Sequence, residues 1–144
     1  MSNTASVIIL VARRDVAAIE DAYGKPDAND EGPSPFCRRL AYHAGNSTVR
    51  SALAPVIKAG IPVVGDIAPA DQQPGYAFCA IDGQYHGWLH VHGQLCVRLR
   101  EDSKGRLVVD RKDLCVARAF WKQHKRALDT IQRRCNAKPR SRRP

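Results

Sequence analysis

Three residues have the types and the order of a thiol nucleophile with its base. Cys37 follows a proline and a phenylalanine and can open a helix, where the helix dipole stabilises a thiolate. His90 belongs to a later predicted strand, and Asp102 can orient its imidazole. These residues predict, as an alternative function, a cysteine hydrolase. The competing interpretation is a buried cysteine and a surface histidine.

The stretch 35–102 resembles the NlpC/P60-type peptidases, in which a cysteine at a helix start meets a histidine on the sheet. The Gly-Asp within residues 64–67 is similar to the pair that precedes the core strands of that family. The sequence departs from the family at Arg38 and Arg39, where small residues are found, and at Leu89, where a glycine is usual. The resemblance implies a hydrolase that uses the cysteine and histidine named above.

Thiolate and imidazole side chains also suggest metal binding, since both suit zinc. A two-residue turn at 82–83 would place Cys79 opposite His86, roughly 5 Å apart across the strands. This pair makes half a site, and further ligands would have to come from Cys37 or His43. Metal binding therefore stays an alternative to ordinary histidines. No cofactor is indicated, because the chain has no phosphate-binding glycine loop.

The charge of the chain is unevenly distributed. Residues 1–97 carry 7 Lys+Arg and 9 Asp+Glu, whereas residues 98–144 carry 16 Lys+Arg and 5 Asp+Glu. Such a concentration of positive charge favours a polyanionic partner. The residues expected to contact phosphates lie on one predicted helix, followed by a basic tail at 137–144: Arg118, Lys122, Lys125, Arg126, Arg133 and Arg134.

A second expected nucleic-acid surface is one face of the predicted sheet. Trp88 shares this face with Arg98 and Arg100, and an aromatic ring among cations can stack on bases. The alternative is that the final helix covers this face and that Trp88 belongs to the core.

The elements that position these residues follow from periodicity and turn chemistry. Asp82-Gly83 between two apolar alternating runs predicts a tight hairpin. Asp110 can cap a long helix whose apolar stripe recurs every three or four residues. We place in that stripe Leu114, Ala117, Trp121, His124, Leu128, Ile131 and Cys135. The prediction is one α/β (α+β) domain over 1–136, with a mixed sheet, an antiparallel meander at about 76–110 and a flexible tail at 137–144.

The cysteines and the apolar runs bear on the environment of the protein. Five cysteines at irregular spacing, without a CxxC pair, indicate reduced thiols. The longest apolar run of the N-terminal region, residues 7–12, is too short for a membrane span. We therefore expect a cytoplasmic protein with no membrane partner.

The leading functional hypothesis is a small, non-enzymatic accessory protein that binds DNA or RNA. Its alternatives are the cysteine hydrolase and a module that binds an acidic protein. A homodimer through the stripe of the final helix is a further possibility, although Ala117 and His124 suit a coiled-coil seam poorly.

Overall fold

The computed structural model describes residues 4–33, 36–46, 49–69, 75–91 and 94–136. The predicted tail at 137–144 lies outside these residues. The described part forms one α+β domain, in which a seven-stranded sheet is covered on both faces by helices. The predicted fold class is confirmed.

The large sheet has the strand order β2-β3-β1-β4-β5-β6-β7. Each pairing between its described strands is antiparallel, where the sequence favoured a mixed sheet. The strands are β1 (Thr4–Ala12), β2 (Ala28–Glu31), β3 (Cys37–Asn46), β4 (Val63–Ile67), β5 (Gly75–Ile81), β6 (Gln84–Val91) and β7 (Gln94–Leu95). A separate two-stranded sheet pairs β8 (Leu99–Glu101) with β9 (Leu107–Val109).

The two faces of the large sheet bury different helices. One face packs against α1 (Val16–Tyr23), α2 (Val49–Ala52) and α3 (Ala54–Lys58), and Phe78 and Ile9 are fully buried in this layer. The other face packs against α4 (Arg111–Asn136), which lies over Val64, Ala77 and Cys79. Because β1 and β4 are covered on both sides, β1 is apolar without interruption from Val7 to Ala12, and β4 begins with Val63 and Val64.

The Asp82-Gly83 hairpin between β5 and β6 has the predicted register. Cys79 pairs with His86, and Ala77 pairs with Trp88. Both turn residues have positive φ, 53° at Asp82 and 77° at Gly83, as a tight turn of this kind requires. The continuation is shorter than predicted: β6 ends at Val91, and the chain returns as β7, which pairs antiparallel with β6.

The long final helix is present, and Ala117, Ile131 and Cys135 of the predicted stripe are buried, but other predicted positions are not. Asp110 Oδ1 accepts hydrogen bonds from the backbone N–H groups of Lys112 and Asp113, which confirms the predicted cap. The buried positions include Phe120 and Ala127, whereas Trp121 is 46% exposed. Because this side packs on the sheet, it is not free to form the seam of a homodimer.

Two links fasten the last turns of α4 to the rest of the domain. Cys135 forms a disulfide with Cys37 at the start of β3, with the Cα atoms 6.0 Å apart. Arg134 forms an ion pair with Asp15, which precedes α1. The expectation that all five thiols are reduced is therefore wrong. The cysteines consequently no longer support the expected cytoplasmic location. Within the described ranges, no helix is long and apolar enough to cross a membrane.

Candidate nucleic-acid interface

The outward side of α4 carries a row of exposed cations, which we call the cationic stripe. Spacings of three, four and seven residues place these cations on one side of the helix. From Arg118 to Arg133 the stripe is about 22 Å long, at 1.5 Å per residue. Its members are Arg118, Lys122, Lys125, Arg126 and Arg133, all of which are exposed.

Among the described residues, one member of the stripe forms an ion pair, and the exposed carboxylate of Asp129 lies one helical turn from Lys125 and from Arg133. Arg126 donates to Asp82 across 2.8 Å, and both side chains are at least half exposed. An exposed pair of this kind contributes little to stability and can exchange partners. In the part of the chain that the structure describes, Arg118, Lys122, Lys125 and Arg133 take part in no ion pair.

An exposed aromatic ring lies beside the stripe. Trp121 is 46% exposed, and Lys125 Nζ lies 5.9 Å from the centre of its ring. A tryptophan among cations can stack on an unpaired base while the cations contact phosphates. The predicted apolar stripe of the helix included this residue. The neighbouring Phe120 is also apolar, and it could have indicated that the helix buries position 120 and leaves position 121 exposed.

Arg134 does not belong to this surface, although the sequence grouped it with the phosphate contacts. Its guanidinium donates two hydrogen bonds to Asp15, at 2.9 Å and 2.6 Å, and Asp15 is 5% exposed. These hydrogen bonds hold the pKa of the Arg134 guanidinium above its usual range. Arg134 therefore stabilises the packing of α4.

The predicted stacking surface around Trp88 is covered. Trp88 is partly buried against the cluster that α4 forms with the sheet, and its Nε1–H donates to the carbonyl oxygen of Cys96 at 2.6 Å. The apolar side of α4 is removed from water by packing on this face of the sheet. The interpretation of Trp88 as an open platform does not fit this burial.

Arg98 and Arg100 also leave the predicted face, because the chain departs from the large sheet after β7. Arg98 donates to both carboxylate oxygens of Asp113, at 2.8 Å and 2.9 Å. Arg100 lies on β8 in the small sheet and is exposed. Arg98 thus joins the start of α4 to the segment before β8, and Arg100 remains a surface cation apart from Trp88.

The structure separates the residues of the hydrolase alternative. Cys37 opens a strand rather than a helix, and it forms the disulfide with Cys135. His90 lies on β6, four strand spacings from β3, or about 19 Å across the sheet. Asp102 hydrogen-bonds Lys104 and Arg106 in its own turn. The predicted catalytic group of Cys37, His90 and Asp102 is therefore wrong.

Cys79 and His86 face each other across the hairpin, as the metal alternative required. Burial raises the pKa of the Cys79 thiol to about 11, which disfavours the thiolate that a metal needs. Among the residues with described positions, no three His, Cys, Asp or Glu side chains are arranged to hold a metal ion.

Comparison with known proteins gives no further assignment. No protein-family model matches the chain, and neither the curated proteins nor the solved structures contain a significant match.

Proposed function

We propose that the protein binds nucleic acid through the cationic stripe of α4, as a binding protein without catalytic activity. The observation that carries this proposal is the set of exposed cations on one helix side, four of which have no ion-pair partner among the described residues. The chain has a formal net charge of +9, so the phosphate backbone is attracted by the whole molecule as well as by the stripe.

Trp121 favours a single strand over a duplex. Unpaired bases can stack on an exposed indole, whereas the bases of a duplex are already stacked on one another. The cations of the stripe would contact the phosphates on either side of the stacked base. Cations in this arrangement contact the backbone without reading its sequence, so we expect weak sequence preference and strong salt dependence.

The test is a salt series of binding to single-stranded and double-stranded DNA and RNA, followed by fluorescence anisotropy. The double variant Lys122→Glu/Lys125→Glu should weaken binding strongly and reduce the slope of log K against log salt by about 1.4 for a single strand. The matched control is Lys25→Glu/Lys58→Glu, which changes the net charge equally. Both control residues are exposed and belong to the layer of α1 and α3, on the other side of the sheet.

Two results would contradict the proposal. The first is the absence of binding to any of the four nucleic acids at low salt. The second is an equal loss of affinity in the two double variants, because attraction would then depend on net charge rather than on the stripe.

A second candidate function is binding of an acidic protein. A groove of about 550 Å³ beside Arg118 and Trp121 is lined by apolar side chains that include Leu95, Val97 and Leu114. Apolar surface next to cations is typical of a protein interface. This alternative predicts a complex whose affinity depends on the groove: Leu114→Asp would abolish it and leave the salt slope for nucleic acid unchanged.

A further inference from the structure

A cleft lies between α4 and the sheet, on the face of the sheet that α4 covers. It is beside the area where α4 packs directly on the strands. Its volume is about 350 Å³, within the range of small-ligand sites. The apolar wall consists of Ile8, Leu10 and Val64 from the two central strands. Its polar groups are Arg39 of β3 and Asp66 of β4, with His124 from α4.

The two charged groups of the cleft have opposite signs and stand apart. Leu10 pairs with Arg39 on one side of β1, and Ile8 pairs with Asp66 on the other side. The two charged residues are thus two strand spacings across and two residues along the sheet from one another, with Cα atoms about 12 Å apart. No ion pair between described residues joins them, and the apolar side chains lie between.

His124 adds a polar atom that the described protein groups leave unused. Its Nδ1 is buried and has no hydrogen-bond partner among the described residues. Burial lowers the pKa of the imidazole, so the ring is neutral at pH 7. Buried polar atoms are nearly always paired, and the residue that carries this one also lines the cleft.

The same imidazole connects the cleft to the outer side of α4. The rings of His124 and Trp121 are stacked, with centroids 5.4 Å apart and planes 10° apart. His124 thus covers one face of the Trp121 ring, so a base that stacks on the opposite face would be separated from this lining residue of the cleft by one ring. Asp66 is 54% exposed, and His90 Nε2 lies 3.8 Å from its Oδ1, so its other oxygen can accept from a ligand.

We propose that this cleft binds one nucleotide unit, with the phosphate at Arg39 and an amino-bearing edge of the base at Asp66 and His124. Guanidinium binds phosphate through parallel hydrogen bonds, and a carboxylate accepts from an exocyclic amino group of a base. The apolar side chains between them suit the flat faces of the base. The nucleotide can be free or part of a strand, and the second form rests on the proposed function.

The experiment compares 5′-CMP with 5′-UMP, which differ in whether the base presents an amino group or a carbonyl oxygen. Each is titrated into the labelled full chain, and the NMR signals of His124 and Lys122 are followed. CMP should shift the His124 imidazole signals without shifting Lys122, and should bind about tenfold more tightly than UMP. Asp66→Asn should remove this preference, whereas the control Asp129→Asn, an exposed carboxylate on α4, should preserve it.

The phosphate contact is tested separately. Arg39→Gln should weaken CMP and UMP equally and should leave the affinity for the nucleoside cytidine unchanged. The inference is overturned if CMP does not move the His124 signals, or if Asp66→Asn keeps the preference for CMP.

Oligonucleotides separate this inference from the proposed function. If the cleft takes a nucleotide of a bound strand, Asp66→Asn will remove a preference for oligo(C) over oligo(U) without changing the salt slope. If it takes the free nucleotide, oligonucleotide binding will not respond to Asp66→Asn. CMP binding with no oligonucleotide binding would remove the proposed function and keep the cleft; the reverse result would remove the cleft alone.

Discussion

Arg134 and Asp15 form a bidentate ion pair between residues separated by 119 positions in the sequence. Asp15 is 5% exposed, so its carboxylate depends on this guanidinium for hydrogen bonds that water does not supply. One residue further along α4, Cys135 is joined to Cys37. The end of the helix that carries the cationic stripe is therefore held at two adjacent positions.

Loss of the arginine in this pair should destabilise the fold. Arg134→Ala leaves the carboxylate of Asp15 buried without its partner, so the free energy of unfolding should fall by about 3 kcal/mol. Urea denaturation measures this change. The control is Arg133→Ala, one residue away and exposed, which should change stability by less than about 0.5 kcal/mol. Equal effects of the two substitutions would show that the ion pair has no special role.

The disulfide should contribute a comparable amount. Cys37 and Cys135 are separated by 98 residues, and closing so long a loop restricts the unfolded chain strongly. Cys135→Ser should therefore lower the free energy of unfolding by about 4 kcal/mol, and a reducing agent should do the same to the wild type. Cys115→Ser, which removes an exposed free thiol, should have little effect. If reductant leaves the denaturation midpoint unchanged, this contribution is absent.

The hairpin could be predicted from the sequence because its determinants are local. Asp82 and Gly83 adopt the positive φ that their residue types accept, and the alternating residues beside them then fix the register. The same holds for the Asp110 cap, which needs only the next three residues.

The predictions from the sequence fail where contacts between residues distant in the sequence determine the structure. The apolar positions of α4 allow two neighbouring phases, one that buries Trp121 and one that buries Phe120. Packing on the sheet selects the second. Periodicity gives no information about which residues meet 98 or 119 positions apart, so the roles of Cys37 and Arg134 could not be predicted from spacing.

The exposed indole should matter for binding and little for folding. Trp121→Ala removes the stacking surface beside Lys125, so affinity for a single strand should fall by about 1–3 kcal/mol, which anisotropy measures. Affinity for a duplex should change less, since its bases are not free to stack. The control is Val116→Ala, an exposed apolar residue elsewhere on α4. A similar loss for single and double strands would argue against stacking.

Stability should depend on acid through Asp113. Hydrogen bonds from the Arg98 side chain hold the pKa of the Asp113 carboxyl below its usual range. A carboxyl with a lowered pKa in the folded state stabilises the protein above the unfolded-state pKa of about 3.9. This contribution is lost as the pH falls through the lower folded-state value.

The free energy of unfolding, measured in urea between pH 7 and pH 3, should therefore decrease toward acid. Asp113→Asn should be less stable at pH 7 and should show a smaller decrease. Asp129→Asn should retain the full acid dependence, because that carboxyl is exposed on the outer side of α4. An Asp113→Asn profile parallel to the wild type would contradict the assignment.

Gly65 should not tolerate a side chain, because it lies on a central strand that is packed closely against its neighbours. A Cβ at this position of β4 would overlap the Phe78 ring and the carbonyl oxygen of Ile8, and the carbonyl belongs to the backbone of the neighbouring central strand. Gly65→Ala should therefore lower the free energy of unfolding by about 1–3 kcal/mol.

Gly87, on β6, provides the comparison: a Cβ there would approach Tyr85 no closer than 3.5 Å, which is ordinary contact. Gly87→Ala should change stability by less than about 0.5 kcal/mol in the same denaturation experiment. Since both substitutions add one methyl group within a strand, equal costs would mean that crowding between β1, β4 and Phe78 is not what requires the glycine.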